Sequence, residues 1–152
     1  IIDMDGLIGD VDAQYIFRAW LTSSSAGLSL PSIVINDDAT GTSYDRQFIS
    51  TIANVAPVAT EQVDTNEAAL TTSLVNQHDL VFIEAFIGAN SGNVTGHNIS
   101  GKCSFVGASN NIQEFNHTWK STAEINKLTF RSGSPFSSGT FGAGSRIQLL
   151  TF

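Results

Sequence analysis

Three aspartates near residue 40 form the densest group of carboxylates whose type and spacing could support chemistry: Asp37, Asp38 and Asp45. Calcium binds where carboxylate and carbonyl oxygens converge, so these residues are the candidate ligands of a calcium ion. Their spacing is not that of an EF-hand loop, and a run of Asn and Asp also forms a turn without any metal. The sequence predicts no other metal site and no cofactor.

The three histidines lack the spacing of a shared metal site. His78, His97 and His117 have no histidine partner two or four residues away on one strand or helix, which a zinc site built on that element would require. We expect His78 and His97 to lie in solvated turns. His117 follows Phe115 with one residue between them, so we expect it to pack as a stacked ring.

Other nucleophiles and carboxylates also fit structural roles better than catalytic ones. Cys103 alternates in step with Ile99 and Phe105, which predicts a buried and unreactive thiol. Glu84 and Glu114 are expected on outward strand faces and not as a glycosidase pair. The sequence contains neither a G-x-S-x-G elbow nor a phosphate-binding P-loop. We therefore predict that the protein is not an enzyme.

Composition narrows the class of partner. The 152 residues carry a net charge of −7, which argues against nucleic acid, since phosphate binding needs a basic surface. Charged residues make up only 14% of the chain, as in proteins whose surface is covered by neighbours in an assembly. Residues 1–101 hold twelve acidic and two basic residues, whereas residues 102–152 hold two acidic and five basic ones. This polarity would suit head-to-tail contact between copies or contact with another shell, unless the two halves interleave in the fold and the charges average out.

Targeting and membrane signals are not evident in the sequence. The longest strongly apolar run, Leu80–Ile87, is interrupted by Glu84 and is too short to span a bilayer. The acidic opening, Ile1–Asp12, does not resemble a secretory signal. The sequence begins without Met, which leaves open whether the chain is processed or cut from a longer one.

Short alternating segments separated by turn residues run along the whole chain. Tyr15–Leu21 alternates apolar and polar positions, although Trp20 breaks the polar face, which indicates that this face is partly covered. Asp79–Ile87 predicts a central strand that is apolar on both faces. Glu61–Leu74 predicts either one short helix capped by Thr65 or a loop leading into a strand at Ala69–Val75.

These segments predict a single all-β domain over residues 1–152. We expect about eight strands, at most one short helix, and an antiparallel β-sandwich of the jelly-roll type. The last strand, Ile147–Phe152, is expected to dock centrally in its sheet.

Three stretches carry a family resemblance. Residues 119–130 read W-x-S-T-A-x-I-x-x-L-x-F, and residues 141–150 read F-x-A-G-S-x-I-x-L-L. Together with residues 33–44, I-V-I-N-D-D-A-T-G-T-S-Y, they resemble the patterns of small virion-associated proteins of tailed bacteriophages. Leu150-Thr151 replaces the usual closing Tyr-Gly, and Asp37 replaces a small residue. The motif residues are structural in type, and Trp119 is expected to close one end of the sandwich.

The resemblance implies a structural protein of a phage particle, which would place the chain in the virion. The favoured interpretation is a capsid decoration or cement protein that stabilises the phage head. Its expected partners are the major capsid protein or other virion proteins. We also expect the protein to form a homo-oligomer, most simply a trimer. Candidate assembly contacts are Ile1, Ile2, Met4 and Trp20, where the opening residues form either an arm or a first strand. The alternative is a tail-fibre module that binds a receptor or carbohydrate, with Trp20 or Trp119 stacked on sugar rings. The resemblance leaves head or tail location open.

Overall fold

The computed structural model describes residues 1–9, 14–22, 31–52, 56–72, 80–89, 96–106, 111–132 and 141–152. Within these ranges the chain forms eleven β-strands and no helix. The strands are β1 Ile2–Asp5, β2 Gln14–Thr22, β3 Pro31–Ile35, β4 Tyr44–Ile52, β5 Val58–Thr65, β6 Ala68–Ala69, β7 Leu80–Gly88, β8 His97–Val106, β9 Asn111–Trp119, β10 Lys127–Ser132 and β11 Arg146–Thr151.

The strands form two antiparallel sheets packed as a sandwich, which confirms the predicted fold class. One sheet has four strands in the order β1-β10-β3-β6, and the other has seven in the order β11-β2-β7-β8-β9-β4-β5. The chain crosses between the sheets at each step from β1 to β4, again at each step from β5 to β7, and again at each step from β9 to β11. Between these crossings, β7, β8 and β9 form a meander within the larger sheet.

Alternating side chains of the central strands fill the space between the sheets. In β2 the predicted alternation is confirmed, with Tyr15, Phe17, Ala19 and Leu21 all buried. Phe17 packs across the sandwich against Phe130 of the smaller sheet, with ring centroids 5.0 Å apart. Full burial of one large apolar side chain contributes roughly 1.5–3 kcal/mol, so the inward faces of these strands supply the main stabilisation of the fold.

Of the two alternatives for Glu61–Leu74, the helix is wrong for the described part of that segment. The other alternative, a strand at Ala69–Val75, is present only as the end of β6 at Ala69, and residues 73–75 lie outside the described residues. Val58–Thr65 is strand β5, paired with β4, and Ala68–Ala69 is the short strand β6. Thr65 does not cap a helix, because its hydroxyl donates to the backbone oxygens of Tyr44 and Glu67, each at 3.2 Å. Nearly every β5 side chain is exposed, so the strand lacks the apolar alternation by which a sequence reveals a half-buried strand. Unrecognised strands of this kind also raise the count from about eight to eleven.

The position of the last strand also differs from the expectation. β11 pairs with β2 and is the terminal member of the seven-stranded sheet among the described residues, so it is not central. Its pairing nevertheless holds the C-terminal residues in place: the backbones of Gln14 and Phe152 exchange hydrogen bonds of 3.2 and 3.0 Å.

Candidate binding surface

Each of the three aspartates near residue 40 has its own hydrogen-bond or ion-pair partners, and the three carboxylates do not share one site. Asp38 accepts hydrogen bonds at Oδ1 from the hydroxyls of Ser43 (2.7 Å) and Thr40 (2.9 Å), and at Oδ2 from Nε1 of Trp119 (2.9 Å). Burial raises the pKa of Asp38, but these donors together outweigh burial, so the pKa lies below its ordinary value. The Asp38 carboxylate is therefore a fixed acceptor that joins a turn to the end of β9.

The other two aspartates form ion pairs with lysines. Asp37 lies 2.9 Å from Nζ of Lys127, and Asp45 lies 2.9 Å from Nζ of Lys120. Hydrogen bonding to Lys120 lowers the pKa of Asp45. Among the described residues, no group of three or more His, Cys, Asp or Glu side chains is arranged to hold a metal ion. The three calcium candidates are thus bound by side chains of the protein itself, Asp38 through hydrogen bonds and Asp37 and Asp45 through ion pairs.

This turn brings the motif segments together. Asn36 and Asp37 have positive φ values of 51° and 58°, which Asn and Asp tolerate better than most residues. The Asn36 side chain donates to the Glu124 oxygen (2.6 Å) and accepts from the backbone of Lys127 (3.0 Å). Trp119 pairs in register with Tyr44. The residues of the first two motif stretches, 33–44 and 119–130, therefore tie the scaffold together.

His97 and His117 are both buried, so the expectation that His97 lies in a solvated turn is wrong. His97 is fully buried at the start of β8, with its ring nitrogens 3.0 Å from the Gly88 oxygen and 2.8 Å from the Ala123 oxygen, instead of being solvated. His117 is stacked on Phe115 with ring centroids 5.2 Å apart, as predicted. His78 lies outside the described residues.

The burial of His97 depends on the glycine before it. Gly96 has a φ of +102°, and a Cβ at this position would lie 2.2 Å from the backbone oxygen of Trp119. Only glycine fits both restrictions. The close approach brings β8 against the end of β9, where the His97 ring stacks on Trp119 at 5.2 Å.

The smaller sheet contains a buried ion pair that the sequence did not reveal. The Glu67 side chain is 2% exposed and accepts hydrogen bonds from Nη2 of Arg131 (2.9 Å) and Oγ of Ser32 (2.9 Å). A buried carboxylate is costly unless it is paired and hydrogen-bonded. These contacts satisfy Glu67, so the pair organises the core and is not available to a ligand.

Cys103 is buried on the inward face of β8 with Ile99 and Phe105, as predicted. Burial raises the pKa of the thiol to about 12.

Because the thiolate is the reactive form, we expect Cys103 of the folded protein to react with a thiol reagent at least about a hundredfold more slowly than in the urea-unfolded protein. The measurement is the rate of colour release from an aromatic disulfide reagent at neutral pH. Equal rates in the two states would contradict this prediction.

The candidate binding surface is the outer face, which we define as the side of β2, β7, β8 and β9 that points away from the core. It comprises Ile16, Arg18 and Trp20 of β2; Leu80, Phe82, Glu84 and Phe86 of β7; Ser100, Lys102, Ser104 and Val106 of β8; and Ile112, Glu114 and Asn116 of β9. The sheet register aligns these residues in rows across the four strands.

Apolar side chains on the outer face are unusually exposed. Trp20 is 43% exposed, Leu80 58%, Val106 63% and Ile112 60%. Trp20 contacts Phe82 with ring centroids 5.4 Å apart. A shallow groove of about 170 Å³ lies along Trp20, Leu80 and Val106. Contiguous exposed apolar surface of this kind marks interaction sites.

A row of alternating charge crosses the same face. Arg18, Glu84, Lys102 and Glu114 lie side by side on successive strands of the sheet. Nε of Arg18 lies 2.7 Å from Glu84, and Nζ of Lys102 lies 4.0 Å from it. The two glutamates therefore lie on outward strand faces, as predicted.

The candidate assembly residues occupy two places. Trp20 lies on the outer face, whereas Ile1, Ile2 and Met4 lie at β1, the terminal strand of the smaller sheet. Ile1 and Ile2 are exposed, and Met4 packs partly against the core. The opening residues thus form a first strand paired with β10, which is one of the two forms expected.

Trp119 does not fit the alternative role in sugar binding. It is 1% exposed, so its ring cannot stack on a ligand, and the expectation of an exposed aromatic there is wrong. Trp20 remains the exposed tryptophan. The prediction that Trp119 closes one end of the sandwich agrees with its burial at the last position of β9.

In the described ranges, no helix has the length and apolar character needed to cross a membrane. No family model and no curated protein matches this chain.

Proposed function

We propose that this protein is a structural component of a bacteriophage virion that acts by binding other proteins, as a decoration or cement protein of the capsid. The observation that carries the proposal is the outer face, where exposed Trp20 and its apolar neighbours flank a row of paired charges. A face that combines apolar anchors with polar contacts suits a protein partner.

The resemblance supports the assignment to a virion. Its motif residues include Asp38, Tyr44 and Trp119, which hold the turn before β4 against the end of β9. The features shared with the phage proteins are therefore features of the scaffold.

In this proposal the protein is a homo-oligomer, with three copies at a threefold position of the capsid. The exposed Ile1 and Ile2 on β1 are the contacts proposed for this arrangement. They lie on the smaller sheet and leave the outer face of the larger sheet available for a further contact. The proposed partners are the major capsid protein or other virion proteins.

A test of this function uses phage heads that lack the protein. We expect purified protein to co-sediment with these heads and to raise the temperature at which they release DNA, because a bound cement protein stabilises the assembled state by mass action. Release would be followed with a DNA-binding dye, and serum albumin at equal concentration would serve as the control. Cross-linking and mass spectrometry of whole virions would identify the neighbours. Failure to bind heads, with cross-links only to tail proteins, would overturn the decoration role.

The second candidate is a tail-fibre module that binds a carbohydrate receptor. Its support is the half-exposed Trp20 ring at a groove that also contains Ser104, since aromatic rings beside hydroxyl groups suit sugar rings. Cross-links to tail proteins, together with Trp20 fluorescence changes on addition of host-surface polysaccharide, would favour this candidate.

A further inference from the structure

We propose that the outer face binds the outer face of a second copy of this chain, around a twofold axis that runs along the strands between β7 and β8. The inference rests on the outer face being a protein-contact surface, as in the proposed function, but it does not depend on the assignment to a virion. It names the partner at that face.

The charged row is self-complementary under this symmetry. Rotation about the axis places β7 opposite β8 of the second copy and β2 opposite β9. Arg18 then faces Glu114 of the other copy, and Glu84 faces Lys102, so every charge in the row meets an opposite charge. An axis passing through β7 or β8 itself would instead place like charges together. The alternation of sign therefore requires an axis that lies between two strands, and the axis between β7 and β8 is the position that pairs all four charges of the row.

The apolar rows are complementary in size under the same rotation. Phe82 of β7 faces Ser104 of the second copy, and Phe86 faces Ser100, so each Phe ring of β7 meets a small side chain. In the outer strands of the pair, Trp20 faces Ile112. In the next row, on the side of Phe82 that is farther from the charged row, Leu80 of one copy faces Val106 of the second copy. Rings opposite small residues allow two sheets to approach to about 10 Å, the normal distance for packed sheets.

The area of the face is sufficient for a specific pair. Four strands about 4.8 Å apart and four rows about 6.8 Å apart give the outer face roughly 520 Å² in each copy, and the flanking strands β11 and β4 extend this side of the sheet to roughly 780 Å². Two copies therefore bury about 1,000–1,600 Å² in total, which spans the boundary between transient and stable specific interfaces. We therefore expect a reversible pair whose charged row decides register more than affinity.

The decisive experiment compares two variants in which all four charges of the row have the same sign. One variant carries Arg18→Glu and Lys102→Glu, so its row is entirely acidic, and the other carries Glu84→Lys and Glu114→Lys, so its row is entirely basic. We expect each variant alone to dissociate at least tenfold more readily than wild type, and their equimolar mixture to form mixed pairs. Light scattering after size exclusion gives the mass, and native mass spectrometry identifies mixed pairs.

For the wild-type chain we expect an even number of copies: two if the outer face is the one self-contact, and six if the proposed threefold contact also forms. Raising salt should shift the equilibrium toward separate copies or trimers, because the charged row is screened. A wild-type monomer or trimer at high protein concentration would overturn the twofold pair. A mixture of the two variants that never forms mixed pairs would overturn the charge register.

Two controls keep the test independent of folding. Asp5→Lys with Glu61→Lys changes the net charge as the basic variant does, but both residues lie outside the charged row, and we expect pairing to persist. Ser104→Lys leaves the row intact and places a long side chain opposite Phe82, so we expect loss of pairing with an unchanged melting temperature. A pair that tolerates Ser104→Lys contradicts the proposal.

The pairing and the virion function fail in different ways. A dimer without affinity for phage heads would refute the virion function alone, whereas a head-binding monomer would refute the pairing alone.

Discussion

Replacing Trp119 with alanine is expected to lower the free energy of unfolding by about 4 kcal/mol, within the range for deleting a buried aromatic ring. The ring is 1% exposed and stacks on His97, and its Nε1 donates to Asp38. Trp119→Ala therefore leaves a cavity and removes one donor from a carboxylate. Trp119→Phe keeps most of the apolar contact and should cost about 2 kcal/mol, the range for a hydrogen bond to a charged group.

Urea unfolding followed by circular dichroism measures both losses. The matched control is Trp20→Ala, which removes the same side chain from the exposed outer face and should cost less than about 1 kcal/mol in dilute protein. A Trp119→Ala variant no less stable than Trp20→Ala would show that the turn before β4 does not depend on the indole.

Lowering the pH from about 7 to 4 is expected to remove about 3 kcal/mol of stability through His117 alone. Burial lowers the pKa of His117 from 6.5 to about 4 in the folded protein. Nε2 lies 2.6 Å from the Ala69 oxygen and donates to it, while Nδ1 accepts from the Gln47 backbone at 3.4 Å. A proton on Nδ1 would oppose the Gln47 N–H, and the charge of Arg46 opposes it as well.

The sign of the effect follows from proton binding. Between pH 6.5 and 4 the unfolded chain binds a proton at His117 that the folded chain excludes, so the free energy of unfolding falls as the pH falls and the loss is complete below pH 4. The shift of about 2.5 units corresponds to about 3 kcal/mol.

Urea unfolding at a series of pH values tests this for wild type and for His117→Gln, which keeps a donor near Ala69 but does not titrate. Carboxylates titrate in both proteins, so the difference between the two pH profiles isolates His117. We expect the variant to be less stable at pH 7 but to lose about 3 kcal/mol less than wild type on acidification. Parallel profiles would contradict the prediction, because they would mean that His117 binds a proton as readily in the folded protein as in the unfolded chain.

The sequence by itself determined the class of fold, because alternation of apolar side chains is a local property of each strand. Tyr15, Phe17, Ala19 and Leu21 alternate with polar residues, and this pattern alone predicted which face of β2 is buried. Cys103 was assigned to the core in the same way, by its step from Ile99. Two segments lacked such a signal. β5 is exposed on both faces. β7 is largely apolar on both faces, and only Glu84 indicated that the face with Phe82 points outward.

Tertiary structure alone decided the environment of His97 and the composition of the outer face. His97 follows Gly96 in a segment that reads as a turn, and the close approach of Gly96 to the Trp119 backbone is what buries it. Residues 18, 84, 102 and 114 form one row only because β2, β7, β8 and β9 are neighbours in a particular register. Strand order and register depend on contacts between residues far apart in the chain, which no local pattern encodes.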